Sequence, residues 1–365
     1  MLMWLSRRTH MRIVHVVGAR PNLMKLAPVY RAIASFPGIE QVVVHTGQHY
    51  DFNMSDVFFR QLGTGAPDIN LQVGSASHAK QTAEVMMRFE TVVLERRPEL
   101  VLVYGDVNST VAAALVCAKL GVPVGHVEAG LRSFDRSMPE ELNRLVTDQL
   151  ADFLFTPSED GDRNLEREGI PKRKIHLVGN VMIDTLIRML PACESHLPSD
   201  VPSRFALVTL HRPSNVDDLA WLKGLLHTLE NISSDLTILF PVHPRTKQRM
   251  NDIGLNGASS RLRLMEPQPY LAFLALQQRA AVVITDSGGI QEETTYLQIP
   301  CLTVRENTER PITVDMGTNI LVGRDSERMR SEVEMILAGH RKAGQVPRLW
   351  DGHAAERIAQ IVAKL

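Results

Sequence analysis

The sequence has almost no net charge: 40 Lys and Arg against 41 Asp and Glu leave −1. That balance excludes a general nucleic-acid binder or a membrane-surface protein. Apolar runs longer than a strand are also missing, which excludes a transmembrane helix. The opening MLMWLSRRTHM has no long apolar core and no small-residue cleavage site. It reads as an extended or non-native start, with Met11 the functional one, rather than a secretory leader. Cysteine is scarce. Cys117, Cys193 and Cys301 form no metal spacing and leave one odd, so reduced thiols in the cytoplasm are the expectation. The GxGxxG glycines of a dinucleotide site are absent, as are sequence repeats and low-complexity tracts.

What is present is a rhythm of strand, loop and helix, heard twice. A chain of 365 residues is long for one core, and two domains are expected. The first series has strands at 13–17, 41–46, 100–104, 122–127, 153–156 and 175–178. The second has strands at 205–210, 236–242, 261–265, 281–285 and 301–304. A helix at 181–190 and a Pro- and Ser-containing linker at 191–203 separate them. The expectation is α/β: two Rossmann-like, doubly wound parallel domains facing one another across a cleft. The first covers 1–179, with a helix at 352–365 packing back on it, and the second covers 180–351.

Polar groups collect where the strands end, the usual ligand position in open α/β sheets. Arg20 and Lys25 follow the first strand, Gln48 and His49 the second. Asp106 ends a strand and is also a good helix cap. Glu128 closes an otherwise apolar strand, and a buried carboxylate needs a partner or a function. Glu140 and Arg144 are four apart, which suits either a site or a solvated salt bridge. In the second series His211, Arg212 and His243 occupy similar loops. Asp286-Ser287-Gly288-Gly289 leads from a strand into a helix, and that geometry makes an anion site. Gly288 and Gly289 remove the Cβ atoms that would hold a diphosphate off. Glu293, one turn on, suits ribose hydroxyls. An ordinary Gly-rich turn with a polar helix surface explains the same stretch.

Eleven motifs occur in order from Gly18 to Pro311: GARPNLMKLAPV, TGQHYD, GDVNST, HVEAGLRS, PEELNR, GNVMIDTL, TLHRPSNVD, PVHPRT, PQPYLAF, TDSGGIQEE and TERP. Together they resemble the non-hydrolysing UDP-N-acetylglucosamine 2-epimerases. The resemblance implies a GT-B type fold, no metal or redox cofactor, a homodimer, and a cytoplasmic enzyme that supplies bacterial cell-surface polysaccharide synthesis. It implies UDP-GlcNAc and UDP-ManNAc as the interconverted pair. It assigns Ser287, Gly288 and Gly289 to the diphosphate, Glu293 to the ribose, Phe273 to the uracil and Arg20 to the phosphates, with Lys25 beside them. Asp106, Glu128 and Glu140 become the acid/base carboxylates, supported by Arg144 and His211. Gln48, His49, Arg212 and His243 become a site for a second UDP-GlcNAc acting as activator. Asn22 and Ala19 depart from the Glu and Thr common in such enzymes. Enzymes that epimerise other UDP-2-acetamido sugars share most of these motifs, and a GT-B glycosyltransferase is the other alternative.

Overall fold

Short β-branched runs, apolar on both faces, build two wholly parallel sheets. The computed structural model describes residues 11–48, 63–232, 236–242, 244–252 and 262–365. The first sheet holds β1 (Met11–Val17), β2 (Ile39–His45), β3 (Ile69–Asn70), β4 (Leu100–Tyr104), β5 (Val124–Val127), β6 (Phe153–Thr156) and β7 (Ile175–Leu177). Its order is β3-β2-β1-β4-β5-β6-β7. The second holds β8 (Phe205–Thr209), β9 (Thr237–Pro241), β10 (Leu262–Met265), β11 (Val282–Thr285), β12 (Cys301–Thr303) and β13 (Asn319–Leu321). Its order is β10-β9-β8-β11-β12-β13. Each order reverses once, between β1 and β4 and between β8 and β11. Both sheets are therefore doubly wound and Rossmann-like, as the alternation predicts. Strands β3 and β13 are too short to leave a periodic signal, and the sequence reading misses them.

Helices cover the sheets because each parallel crossover needs one. Val14, Val16, Val101 and Val103 pack with Phe89 and Val93 of the His78–Arg96 helix. In the second sheet Val208, Ile284 and Leu302 pack with Leu222 and Leu226 of the Leu219–Asn231 helix. The chain divides into one unit of Met1–Thr185 with Arg348–Leu365 and another of Leu186–Pro347. The division falls inside the Val181–Cys193 helix. Pro191 lies in that helix rather than in the linker expected at 191–203. A proline in the last turn removes one hydrogen bond near an end that is already fraying.

The returning C-terminal segment is held to the first unit by backbone contacts. Trp350 Nε1 donates to the Pro157 carbonyl at 2.9 Å. The Asp184 carboxylate accepts from Ala354 N at 3.2 Å and Ala355 N at 2.7 Å, which caps the Ala354–Val362 helix. Gly179 has φ 91, and a Cβ there would meet the Leu349 carbonyl oxygen at 2.0 Å.

Inside the first sheet His15 is wholly buried. Its Nδ1 is 2.7 Å from the Tyr104 hydroxyl and its Nε2 is 3.0 Å from Gln41 Oε1. Burial lowers its pKa from 6.5 to about 4. The neutral ring is the folded form, so its contribution is complete above pH 6.5 and is lost as pH falls through 4. The linked stability amounts to about 3 kcal/mol. Urea unfolding at pH 7 and pH 4.5 is expected to show a smaller pH difference in His15→Gln than in the wild type. Equal differences would remove His15 as a source of acid sensitivity.

Candidate active site

In the first unit the site grows from the carboxyl ends of β1, β4 and β5. Gly105 leaves β4 with φ 63, in the left-handed region that glycine tolerates. A Cβ there would lie 2.7 Å from Lys25 Nζ and 3.2 Å from Glu128 Oε2. The missing side chain is what lets those two groups meet beside the turn. Lys25 Nζ forms an ion pair with Glu128 Oε2, and both side chains are less than 10% exposed. Glu128 adopts φ 75, a strained conformation for a non-glycine residue that costs on the order of 1–3 kcal/mol. The lysine holds this carboxylate beside the Gly105 turn.

Asp106 follows Gly105 directly. Arg144 Nη1 donates to Asp106 Oδ2. The same guanidinium donates to Glu141 Oε2 through Nη2 at 2.6 Å and Nε at 3.1 Å. Arg144 therefore pairs with Glu141 three residues earlier, and the four-residue pairing with Glu140 is replaced. The Pro139–Leu150 helix turns Glu141 inward to accept from Ser133 N and Oγ, both at 2.9 Å. Burial would push the Glu141 carboxyl up, but the Ser133 and Arg144 bonds outweigh it and hold it below its usual range. Glu140 and Arg20 are exposed, at the start of a helix in each case.

Asn22 ties two strand ends together. Its Oδ1 accepts from Gly18 N at 3.2 Å and Ala19 N at 3.1 Å, while its Nδ2 donates to the Tyr104 carbonyl at 2.8 Å. A glutamate there could not make the last bond, so the departure has a local structural use. Gln48 Oε1 accepts from Ser109 Oγ at 2.7 Å and Ser109 N at 3.2 Å. His49 and His243 lie outside the described residues.

In the second unit Asp286 is the anchor, and the sequence reading missed its role. It is wholly buried and accepts from His211 N at 3.1 Å, Arg212 N at 2.9 Å and Asn215 Nδ2 at 3.1 Å. His211 Nδ1 lies 3.1 Å from Asp286 Oδ1. Burial favours the neutral acid, yet His211, Asn215 and the backbone donors keep Asp286 below its usual range. The loop after β8 is thus fastened to the turn after β11. Ser287 stands at the N-cap position of the Gly288–Leu297 helix without a side-chain capping bond, and the first N–H groups of a helix are suited to an anion. Glu293 is buried and accepts from the Tyr270 hydroxyl at 2.9 Å. Phe273 is half-buried against Leu207, Leu276 and their neighbours.

Arginines collect beside that helix start, another feature missed. Gly288 has no room for a Cβ, which would lie 2.3 Å from Arg310 Nη1. Arg310 pairs with Glu309 and, through Nε at 2.8 Å, with Glu292. Arg305 reaches Glu309 at 2.7 Å and Arg212 reaches it at 3.5 Å. The burial of Glu309 is outweighed by these three guanidiniums, which hold its carboxyl well below the usual range. The TERP motif was the available signal. Among the described residues no cluster of three metal-ligating side chains occurs.

Two Rossmann-like units in one chain, each with its polar groups at a strand-order reversal, place the protein in the GT-B type fold class. The family model described as UDP-N-acetylglucosamine 2-epimerase matches residues 31–363, and the chain belongs to that family. It is 42% identical over 359 residues to the UDP-N-acetylglucosamine 2-epimerase of Methanococcus maripaludis, covering 95% of this chain and 97% of that one. It is 39% identical over 359 residues to a UDP-2,3-diacetamido-2,3-dideoxy-D-glucuronate 2-epimerase of Pseudomonas aeruginosa, covering 97% and 100%. The solved structure of Methanocaldococcus jannaschii UDP-GlcNAc 2-epimerase in complex with UDP-GlcNAc and UDP matches with a TM-score of 0.90 at 40% identity, covering 97% and 100%.

Removing one partner of a buried ion pair leaves the other charge unsatisfied. Lys25→Ala is expected to destabilise the first unit by about 3–5 kcal/mol, and Lys25→Met with Glu128→Gln to recover most of that loss. Denaturant unfolding reads both. A single-variant loss of under about 1 kcal/mol would match an exposed pair instead.

Proposed function

We propose that the protein interconverts UDP-GlcNAc and UDP-ManNAc by losing and re-adding UDP. The proton at C2 has no neighbouring carbonyl to acidify it, so its direct removal would leave an unstabilised carbanion. In the elimination route the C1–O bond breaks and its electron pair leaves on the diphosphate. A carboxylate takes the C2 proton, and a C1–C2 double bond forms, giving 2-acetamidoglucal. UDP then adds back to C1 while a proton reaches the other face of C2. The route requires a held diphosphate and more than one acid/base group around C2.

The observation that carries this reading is the meeting of the Lys25–Glu128 and Arg144–Asp106 pairs at one turn of the first unit. Glu128 and Asp106 serve C2. Glu140, exposed on the next helix, serves as a third acid/base or positioning group. The second unit holds UDP: the Ser287-Gly288-Gly289 turn takes the diphosphate, Glu293 the ribose and Phe273 the uracil, with His211 toward the phosphates. The motifs also assign Arg20, in the first unit, to the phosphates. A second reading rests on the P. aeruginosa relative: the substrate is a different UDP-2-acetamido sugar and the chemistry at C2 is the same.

The activator site and the homodimer implied by the motifs stand as further proposals. Of the four activator residues, Gln48 and Arg212 are described, and each also holds its own loop. Met87 and Leu94 on the His78–Arg96 helix, and Leu142 and Val146 on the Pro139–Leu150 helix, are exposed apolar side chains that a dimer contact could cover. A lag in the reverse reaction that added UDP-GlcNAc removes would support the activator, and lag-free kinetics would dismiss it. Sedimentation as a monomer would dismiss the dimer.

Incubation with UDP-GlcNAc alone is expected to yield UDP-ManNAc. Release of free sugar would make the enzyme hydrolytic. No change, with turnover of a UDP-diacetamido uronate, would select the second reading. No reaction of either without an acceptor would point to a glycosyltransferase. Glu293→Ala is expected to weaken UDP by about 1.5–3 kcal/mol in calorimetry, and unchanged affinity would place the ribose elsewhere.

A further inference from the structure

His126 lies in β5 and is wholly buried. Its Nδ1 is 2.6 Å from Asp148 Oδ1, and its Nε2 is 2.8 Å from the Gly105 carbonyl oxygen. Burial would push the Asp148 carboxyl up, but His126 and Arg132 outweigh it and hold it below its usual range. With its Oδ2 paired to the buried Arg132 guanidinium and to Gly130 N, Asp148 is held as a carboxylate independently of the histidine. A carboxylate and a carbonyl can only accept, so both ring nitrogens of His126 carry protons when both bonds form. That arrangement gives the ring a positive charge.

Its charge is compensated along a buried chain. Arg132 Nη1 lies 2.7 Å from Asp148 Oδ2, which also accepts from Gly130 N at 3.1 Å. The rest of the Arg132 fork donates to both oxygens of Glu168, at 2.8 and 2.6 Å. The signs alternate from Glu168 through Arg132 and Asp148 to His126. The last member directs an N–H at the turn that carries Asp106. On the other side of that residue, Asn143 Nδ2 donates to the Asp106 carbonyl at 2.8 Å. The peptide oxygens before and after Asp106 are thus each held by a side chain.

We propose that His126, charged through its bond to Asp148, is a positioning residue for the acid/base step. It fixes the Gly105–Asp106 turn and sets a positive charge beside it. The proposal rests on the reading of Asp106 and Glu128 as acid/base groups. A nearby cation favours the ionised form of a carboxylate. The other charged groups at the turn are Lys25, Glu128, Arg144 and Glu141, and they remain when His126 is replaced.

His126→Gln keeps a donor but removes the charge, and Asp148→Asn keeps the shape but removes the counter-ion. With the UDP-sugar that the wild type turns over, each is expected to lower kcat roughly 100-fold. KM should stay within about twofold, because neither His126 nor Asp148 is among the proposed nucleotide contacts. The acid limb of the kcat profile should move to higher pH, since the base ionises less readily without the imidazolium. Wild-type kcat and an unmoved acid limb would overturn the proposal. So would an activity loss that only tracks the unfolded fraction. Should the variants not fold, nitrogen-15 NMR of the histidine-labelled wild type decides. One ring should carry slowly exchanging N–H protons on both nitrogens, and the absence of any such ring would overturn the proposal. Lack of any turnover by the wild type would defeat the proposed function while leaving the NMR result intact.

Discussion

Buried charge at the carboxyl ends of parallel strands is the constraint on which the rest depends. Glu128, Asp148, Asp286 and Glu309 are each at most 5% exposed, and an isolated ionised carboxylate in such a place costs many kcal/mol. Each is met by a cation or by several N–H donors: Lys25, the His126–Arg132 pair, the loop after β8, and three arginines. Those partners arrive from neighbouring strand ends and helix starts. The requirement to neutralise each carboxylate therefore fixes loops to one another, and Gly105 and Gly288 are glycines because a side chain would occupy the space in which the partners meet.

The two units use this device differently. The first gathers carboxylates and matches each with a cation nearby, which suits proton transfer. The second places its arginines against the start of the Gly288–Leu297 helix, where the dipole adds to their charge and suits an anion. The chain belongs to the UDP-N-acetylglucosamine 2-epimerase family, and the proposed function assigns these features to a UDP-sugar.

Much of this was legible in the sequence. Apolar strand runs and polar strand ends gave the two sheets and placed Lys25, Asp106, Glu128 and Ser287-Gly288-Gly289 at their tips. What could not be read were partnerships between residues far apart in the chain. Lys25 and Glu128 are 103 residues apart, and Asn215 and Asp286 are 71 apart. Helix spacing suggested Glu140 for Arg144, whereas the turn at Ser133 draws in Glu141. Asp286 looked like one residue of a turn because its donors belong to another strand. Strands β3 and β13, at two and three residues, carry no period at all.

The central claim is that the first unit's paired carboxylates exchange the C2 proton while UDP is detached. Turnover in heavy water, followed by NMR of the recovered UDP-sugars, tests it most directly. The account predicts deuterium at C2 of the product, and a loss of that exchange in Asp106→Asn and Glu128→Gln that still bind UDP. Product formed with its original C2 hydrogen and no solvent label would contradict it.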